Sequence, residues 1–243
     1  RQKNVVQLFD KVVQVSSTSQ AVDTYGRGDE LGYQVIKAGK ALKRDIEARI
    51  TGNFASVLGA AGTAGECAGV PAFLTSNVSR GATGASGGYQ TGTGLINVAT
   101  DGTLRTVTET LFKDTIALAA IRGGKPETIM VNAQMKQKIS GAFTGIATQY
   151  NQLNQSGQNT IVASADVYKS DFGDLKIIPN RSQRERDVWI IDPTKLALAS
   201  LRMFEAQELG RVGDAVTRDI ISEYTLENRH PDAHAAVLDC TTT

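Results

Sequence analysis

Residues 29–51 read D-E-L-G-Y-Q-V-I-K-A-G-K-A-L-K-R-D-I-E-A-R-I-T, and the fold turns on how this stretch is read. Leu31, Val35, Ala38, Leu42, Ile46 and Ile50 recur every three or four positions, which draws one apolar stripe along an α-helix. Asp29 and Glu30 stand at the positive end of its dipole and Arg49 near the negative end. Gly52 sits where a left-handed C-terminal cap favours glycine. The predicted helix is about 35 Å long, roughly twice the usual globular length. Its other side is crowded with Lys37, Lys40, Lys43, Arg44, Asp45 and Glu47. Such a face is solvated, contacts nucleic acid or contacts a subunit. The interleaved acids and the single aromatic, Tyr33, argue against phosphate tracking and for a mixed-charge interface or a solvated face.

The totals fit that reading. The chain has 243 residues, 41% hydrophobic and 21% charged, which is enough for one large domain or two small ones. No apolar run approaches the length of a membrane span. A net charge of +1 lacks the basic excess typical of a nucleic-acid groove. Cys67 and Cys240 lie far apart without metal-type spacing and read as reduced thiols.

Outward from the helix, residues 4–24 read as extended, rich in valine, and end in the polar run Ser16–Gln20. A strand or hairpin there must pack on its own domain or lie on a neighbour. Residues 52–102 hold 12 of the 24 glycines, which predicts turns and irregular excursions, with a short strand at Leu95–Val98. Thr106 and Glu109 fit a capping box for a helix that stops at Gly123-Gly124. A buried strand at Ile129–Val131 follows, then a helix capped by Asn132 and running to about Ser140. Residues 142–160 read as a polar surface loop. Strands are expected at Thr160–Tyr168, Leu175–Ile178 and Val188–Ile191, and Asp192-Pro193 breaks the chain before Leu196–Phe204. Ile220, Ser222, Tyr224 and Leu226 alternate with polar residues as a half-buried strand, with Ala233–Leu238 as its expected partner. These elements make an α+β chain.

Motifs that suggest catalysis fail on context. Gly84-Ala-Ser86-Gly-Gly88 has the spacing of a hydrolase nucleophile elbow, but neither the strand before the serine nor the helix after it is expected. Gly123-Gly124-Lys125 ends a helix, whereas a phosphate loop begins one, and Pro126 replaces the hydroxyl that would hold magnesium. His230 and His234, beside Asp232, Asp239 and Cys240, would form a metal pair only on a helix, which Pro231 opposes. No catalytic, cofactor or metal site is expected.

Two stretches carry a resemblance. Asn4, Val15–Thr18, Glu30–Gln34 and Lys40–Glu47 form the first; Asp192–Lys195, Leu201-Arg202, Gln207–Asp214, Glu223–Glu227 and Ala233–Ala235 form the second. Both are similar to the major head proteins of tailed bacteriophages that share the Hong Kong ninety-seven capsid fold. The resemblance implies an extended loop over residues 1–27 lying on the adjacent subunit. It implies a peripheral domain over 28–103 and 201–243, holding a spine helix and a long antiparallel sheet, and an axial domain over 104–200. By the same resemblance the chain self-assembles as hexamers and pentamers into an icosahedral head around double-stranded DNA. It meets a portal and scaffold or cement proteins, and resides in the virion capsid after assembly in the host cytoplasm. Lys37, Lys40, Arg44 and Glu47 are the expected subunit-interface residues, and removal of residues 1–25 is expected to leave a folded subunit but impair shell assembly. A cellular nanocompartment shell of the same fold and, from a different class, a serine hydrolase using Ser86 are the alternatives.

Overall fold

The computed structural model describes residues 3–22, 25–26, 28–147, 166–211 and 213–242. In chain order the elements begin with β1 (Gln7–Ser16), α1 (Ser17–Ala21), α2 (Glu30–Thr51), α3 (Val70–Phe73), β2 (Val78–Ser79), β3 (Gly88–Gln90) and β4 (Leu95–Asn97). They continue with α4 (Glu109–Ile121), β5 (Thr128–Val131), α5 (Ala133–Ala147), β6 (Val167–Ser170), β7 (Gly173–Pro179) and β8 (Val188–Ile191). The last are β9 (Leu196–Leu209), β10 (Ala215–Asn228) and β11 (Ala235–Val237). They form two compact units. Arg1–Val70, Tyr89–Asn97 and Leu198–Glu227 make the first; Pro71–Gly88, Val98–Ala197 and Asn228–Thr243 make the second.

In the first unit the predicted helix is present as α2. Its stripe packs on the sheet β1-β10-β9, where Ala38, Leu42 and Ile46 meet Phe9 and Ile220, with Val13, Val35, Ile50 and Tyr224 at the margin. Leu42 is 1% exposed. Of the two arrangements open to residues 4–24, the structure shows packing on their own unit. β1 pairs antiparallel with β10 from Gln7↔Tyr224 to Ser16↔Ala215 and buries Phe9 and Val15. The polar run after it is not extended. Ser16 accepts a hydrogen bond from Ser19 N at 3.2 Å and caps the single turn of α1, the usual role of a serine that competes with strand pairing.

Gly52 does not form the expected left-handed cap, since its φ of −79° and ψ of 159° are extended. Space, not conformation, selects glycine. A Cβ there would lie 2.1 Å from the Phe54 ring, and one on Gly69 would lie 1.9 Å from the Gly52 carbonyl. The chain turns back tightly at this helix end, and Arg49 holds the turn. Its guanidinium donates to the carbonyls of Cys67 and Ala55, pairs with Glu66 at 2.8 Å, and stacks 4.4 Å from the Phe54 ring centre.

The second unit is built on a six-stranded mixed sheet in the order β2-β11-β8-β5-β7-β6. β5 and β7 are parallel, which requires a crossover, and α5 supplies it. Phe112, Ile116 and Ala119 of α4 and Met135 and Ile139 of α5 share one core with β5, β7, β8 and β11. β8, Val-Trp-Ile-Ile, is buried at every position. The cap of α4 is Thr108, which accepts from Leu111 N, and not the Thr106–Glu109 box. Gly123, at φ +81°, ends that helix as anticipated. α5 runs to Ala147, so the loop expected from residue 142 does not begin there, and 148–165 lie outside the described residues. β6 accordingly starts, within the described residues, at Val167.

The expected pairing of Ala233–Leu238 with the preceding strand is overturned. β11 lies antiparallel to β8 and parallel to β2. A 3-10 turn at Pro231–Ala233 redirects the chain, and the small side chains of Ala235 and Ala236 permit burial in mid-sheet. The partners of β10 are β1 and β9.

Two stability outcomes follow from the first unit's core. Leu42→Ala should cost about 2–5 kcal/mol in urea denaturation, while Ile36→Ala, at 62% exposure, should stay within about 0.5 kcal/mol. Deletion of residues 1–16 removes Phe9, Val15 and the pairing partner of β10. Circular dichroism of that variant should show loss of cooperative unfolding in this unit, contrary to the sequence-based expectation of a folded truncated subunit.

Candidate subunit-interaction surfaces

The outer ridge of α2 is set by helical spacing. Lys37, Lys40, Arg44 and Glu47 fall at i, i+3, i+7 and i+10, diametrically opposite Ala38, Leu42 and Ile46. All four are exposed, and none of their side chains makes a hydrogen bond or ion pair among the described residues. The other charges of the helix are engaged within the unit. Lys43 lies 5.6 Å over the Phe204 ring, Asp45 approaches Lys11 at 3.9 Å, and Arg49 holds the loop described above. The Lys11–Asp45 contact is about half exposed on each side and contributes at most about 0.5 kcal/mol. Tyr33 and Ile36 share the ridge, at 44% and 62% exposure. Grooves of about 550 Å³ and 390 Å³ flank the helix, the first against β1 with Lys37 and Arg44 at its rim, the second against β9 with Lys40 at its rim.

The motifs with catalytic spacing hold structural roles. Ser86 precedes β3, and no helix follows it to aim its hydroxyl. Its Oγ accepts from Arg80 Nε at 3.1 Å and donates to the Thr75 carbonyl at 3.3 Å. His234 Nδ1 accepts the Asp192 backbone N–H at 3.2 Å, and burial pushes the imidazole down to about 4, so it is neutral. His230 Nε2 lies 3.4 Å from the Arg122 carbonyl. Among the described residues no group of three or more His, Cys, Asp or Glu converges as a metal cage. Cys67 and Cys240 are buried free thiols, and burial raises Cys240 to about 12.

The glycine-rich stretch contains a feature that sequence reading misses. Asp239, at φ +62° and 1% exposed, accepts from Gly81 N and Gly102 N, each at 3.0 Å, and from Arg186 at 2.7 Å. Arg186 also reaches Asp101, and Arg184 bridges Asp101 and Asp187. A Cβ on Gly81 would sit 2.0 Å from the Thr103 carbonyl, and one on Gly102 would sit 2.7 Å from the Gly81 carbonyl. The glycines therefore bring backbone N–H groups onto a buried carboxylate. This clasp joins residues 80–88, residues 98–105, the turn 181–187 and the chain's last segment, all within the second unit. The available signals were a charged residue between the buried Leu238 and Cys240, and the charged turn Arg181–Asp187. Burial would raise the Asp101 carboxyl, but the hydrogen bond and charge of Arg184, with Arg186, hold it below the usual range. Asp187 is different. It is 2% exposed, and burial outweighs Arg184 and lifts it to about 6.

Comparison with known proteins agrees with this architecture. Residues 1–241 match the family model described as SU10 major capsid protein. A 44-residue stretch is 54% identical to the major capsid protein of Escherichia phage Phieco32, spanning 18% of this chain and 12% of that one. Among solved structures, the capsid asymmetric unit of cyanophage A-1(L) superposes with a TM-score of 0.67 at 11% identity, covering 97% of this chain and 77% of that one. The holo-SrpI encapsulin complex of Synechococcus elongatus gives 0.62 at 9% identity, covering 98% and 75%. Microbacterium phage Oxtober96 gives 0.56 at 12% identity, covering 98% and 73%. At these identities the likeness is one of fold: the α+β Hong Kong ninety-seven capsid fold.

The clasp makes a pH prediction. The folded Asp187 carboxyl titrates near 6, above its ordinary value of 3.8, so its charged form opposes folding at neutral pH. That penalty is present above pH 6 and fades as pH falls toward 4. Asp187→Asn should raise stability at pH 7.5 by roughly 1–3 kcal/mol. Its advantage over the wild type should shrink at pH 5, as read from paired urea melts.

Proposed function

This chain belongs to the SU10 major capsid protein family, and from that premise we propose that it is a structural subunit of a tailed-phage head. It self-assembles through hexamers and pentamers into an icosahedral shell around double-stranded DNA. Its partners are other copies of itself, a portal and scaffold or cement proteins; it assembles in the host cytoplasm and resides in the virion. Its chemistry is association, and it performs no catalysis. The family match over residues 1–241 carries the proposal. The engaged hydroxyl of Ser86 speaks against the hydrolase reading. The encapsulin likeness is one of fold at 9% identity, so the nanocompartment reading has less support than the phage one.

Within that subunit, residues 28–103 and 201–243 are assigned to the peripheral domain, 104–200 to the axial domain and 1–27 to the extended loop. Two compact units support a two-part division, although Pro71–Gly88, residues 98–103 and Asn228–Thr243, assigned here to the peripheral domain, group with the second of them. Lys37, Lys40, Arg44 and Glu47 are assigned to contacts with a neighbouring subunit. Their support is geometric: exposed charges, unpaired among the described residues, on the ridge opposite the core. Interfacial charges of this kind steer and register association more than they hold it.

Size-exclusion chromatography and negative-stain microscopy of the expressed chain test the function. Closed particles are expected. A compact monomer with esterase activity that Ser86→Ala abolishes would overturn it. For the ridge, Lys40→Glu with Arg44→Glu should lower particle yield while leaving the melting temperature within about 2 °C. Particle yield equal to the wild type in low salt would remove these residues from the interface.

A further inference from the structure

Asp101-Gly102 is the only place in the chain where glycine follows an aspartate or an asparagine. That pair is the most prone to spontaneous isomerisation, because glycine puts no side chain in the way of its own nitrogen and leaves the backbone free to turn. The reaction needs a Gly102 N–H able to give up its proton, a neutral carboxyl on Asp101, and a backbone that can bring nitrogen and carboxyl carbon together. The fold withholds all three.

The Gly102 N–H donates to Asp239 Oδ1 at 3.0 Å, on a carboxylate already committed to Gly81 N and Arg186. The Asp101 carboxylate is turned onto Arg184 and Arg186. Burial would raise it, but those guanidiniums hold it below the usual range, so it stays ionised and is a poor electrophile. The backbone is fixed on both sides. Thr100 exchanges both backbone hydrogen bonds with Ala85, at 2.8 and 3.0 Å, Thr103 N donates to the Ala82 carbonyl at 2.8 Å, and the Gly102 carbonyl accepts from Arg186. There is no slack, since a Cβ on Gly102 would lie 2.7 Å from the Gly81 carbonyl oxygen and 2.8 Å from that of Ala82. Yet the Asp101 side chain is 41% exposed, so water reaches the junction.

We propose that Asp101-Gly102 is a latent self-modification site, inert while the clasp is closed and reactive once it opens, and that its reaction bars the clasp from closing again. In an opened chain the Gly102 nitrogen loses its proton and attacks Asp101 Cγ. The new C–N bond closes a succinimide ring, and the Cγ–O bond breaks with release of one water. A second water adds to the main-chain carbonyl carbon of Asp101 and breaks its bond to the nitrogen. The product is isoaspartate, whose main chain runs through Cβ and Cγ and is one methylene longer. Addition of that water at Cγ instead restores aspartate. The longer link carries Gly102 off Asp239 and Arg186. This inference concerns the second unit alone and stands apart from the shell reading.

Incubation of the full chain in water enriched in oxygen-18 tests it, beside a peptide of Val98–Arg105 as the unrestrained reference. Each passage through the succinimide places one heavy oxygen at Asp101, and isoaspartate blocks the endoproteinase that cuts before aspartate. Wild-type chain should react at least about a hundredfold more slowly than the peptide, and Asp239→Asn should come within about tenfold of it. Asparagine suits the left-handed backbone at 239, where φ is +62°. Met135→Ala loosens the core of the same unit but removes none of the clasp's bonds, and should stay near the wild-type rate. Should Asp239→Asn fail to fold, Arg184→Gln frees the Asp101 carboxyl and should still react faster than the wild type. Wild-type reaction at the peptide's rate, or equal acceleration by Met135→Ala, would overturn the guarding role of the clasp. Chain aged in urea and then refolded should exchange the Gly81 amide hydrogen faster than fresh chain; equal protection would overturn the bar to reclosure.

Discussion

The contact between the apolar stripe of α2 and one face of the sheet β1-β10-β9 is the constraint on which the rest of the first unit depends. Leu42, 1% exposed, sits in one cluster with Phe9 from the chain's start and Ile220 from near its end. Segments more than 200 positions apart thus close on one helix. Burying a leucine of this kind contributes roughly 2 kcal/mol, and the stripe repeats it turn after turn. A helix of this length in an isolated peptide would be marginal on propensity alone; its tertiary partner makes it stable.

That commitment determines what is left for association. With one side of the helix spent on the core, Lys37, Lys40, Arg44 and Glu47 can only point outward, and Arg49 is turned back to hold the loop at the helix end. With the upper face of the sheet covered by α2, its open edges, β1 and β9, remain. The second unit solves a different problem. Its core is a mixed sheet under α4 and α5, closed at the chain's end by a buried carboxylate on Gly81, Gly102 and Arg186. Membership of a capsid family gives these features one setting: what the core of the first unit does not use, the outer ridge of α2 and the strand edges, stays exposed.

Elements with a strong period were legible in the sequence. The i, i+4 stripe of α2, the alternation of β10 and the buried run of β8 each declare themselves within a few residues. Partners were not. β11 reads as a strand from its own residues, but nothing in Ala235–Val237 says that it pairs with β8 and β2 and not with β10. The Gly52 cap was misjudged for a related reason: its glycine answers to the Phe54 ring and to the Gly69 backbone, contacts that depend on the return of the chain. The clasp around Asp239 is the extreme case, assembled from residues 81, 102, 186 and 239. The ridge charges were legible as exposed, since a helix with one buried stripe leaves little choice. Their freedom from partners was visible only once Lys43, Asp45 and Arg49 had been placed.

The central claim is that the helix and its sheet fold within one subunit and leave the ridge for other copies. Amide hydrogen exchange on dissociated and assembled chain tests this most directly. The account predicts strong protection of α2 and β10 in both states. Protection of α2 that appears only in assembled particles would contradict it, because the helix would then owe its structure to neighbours and not to its own sheet.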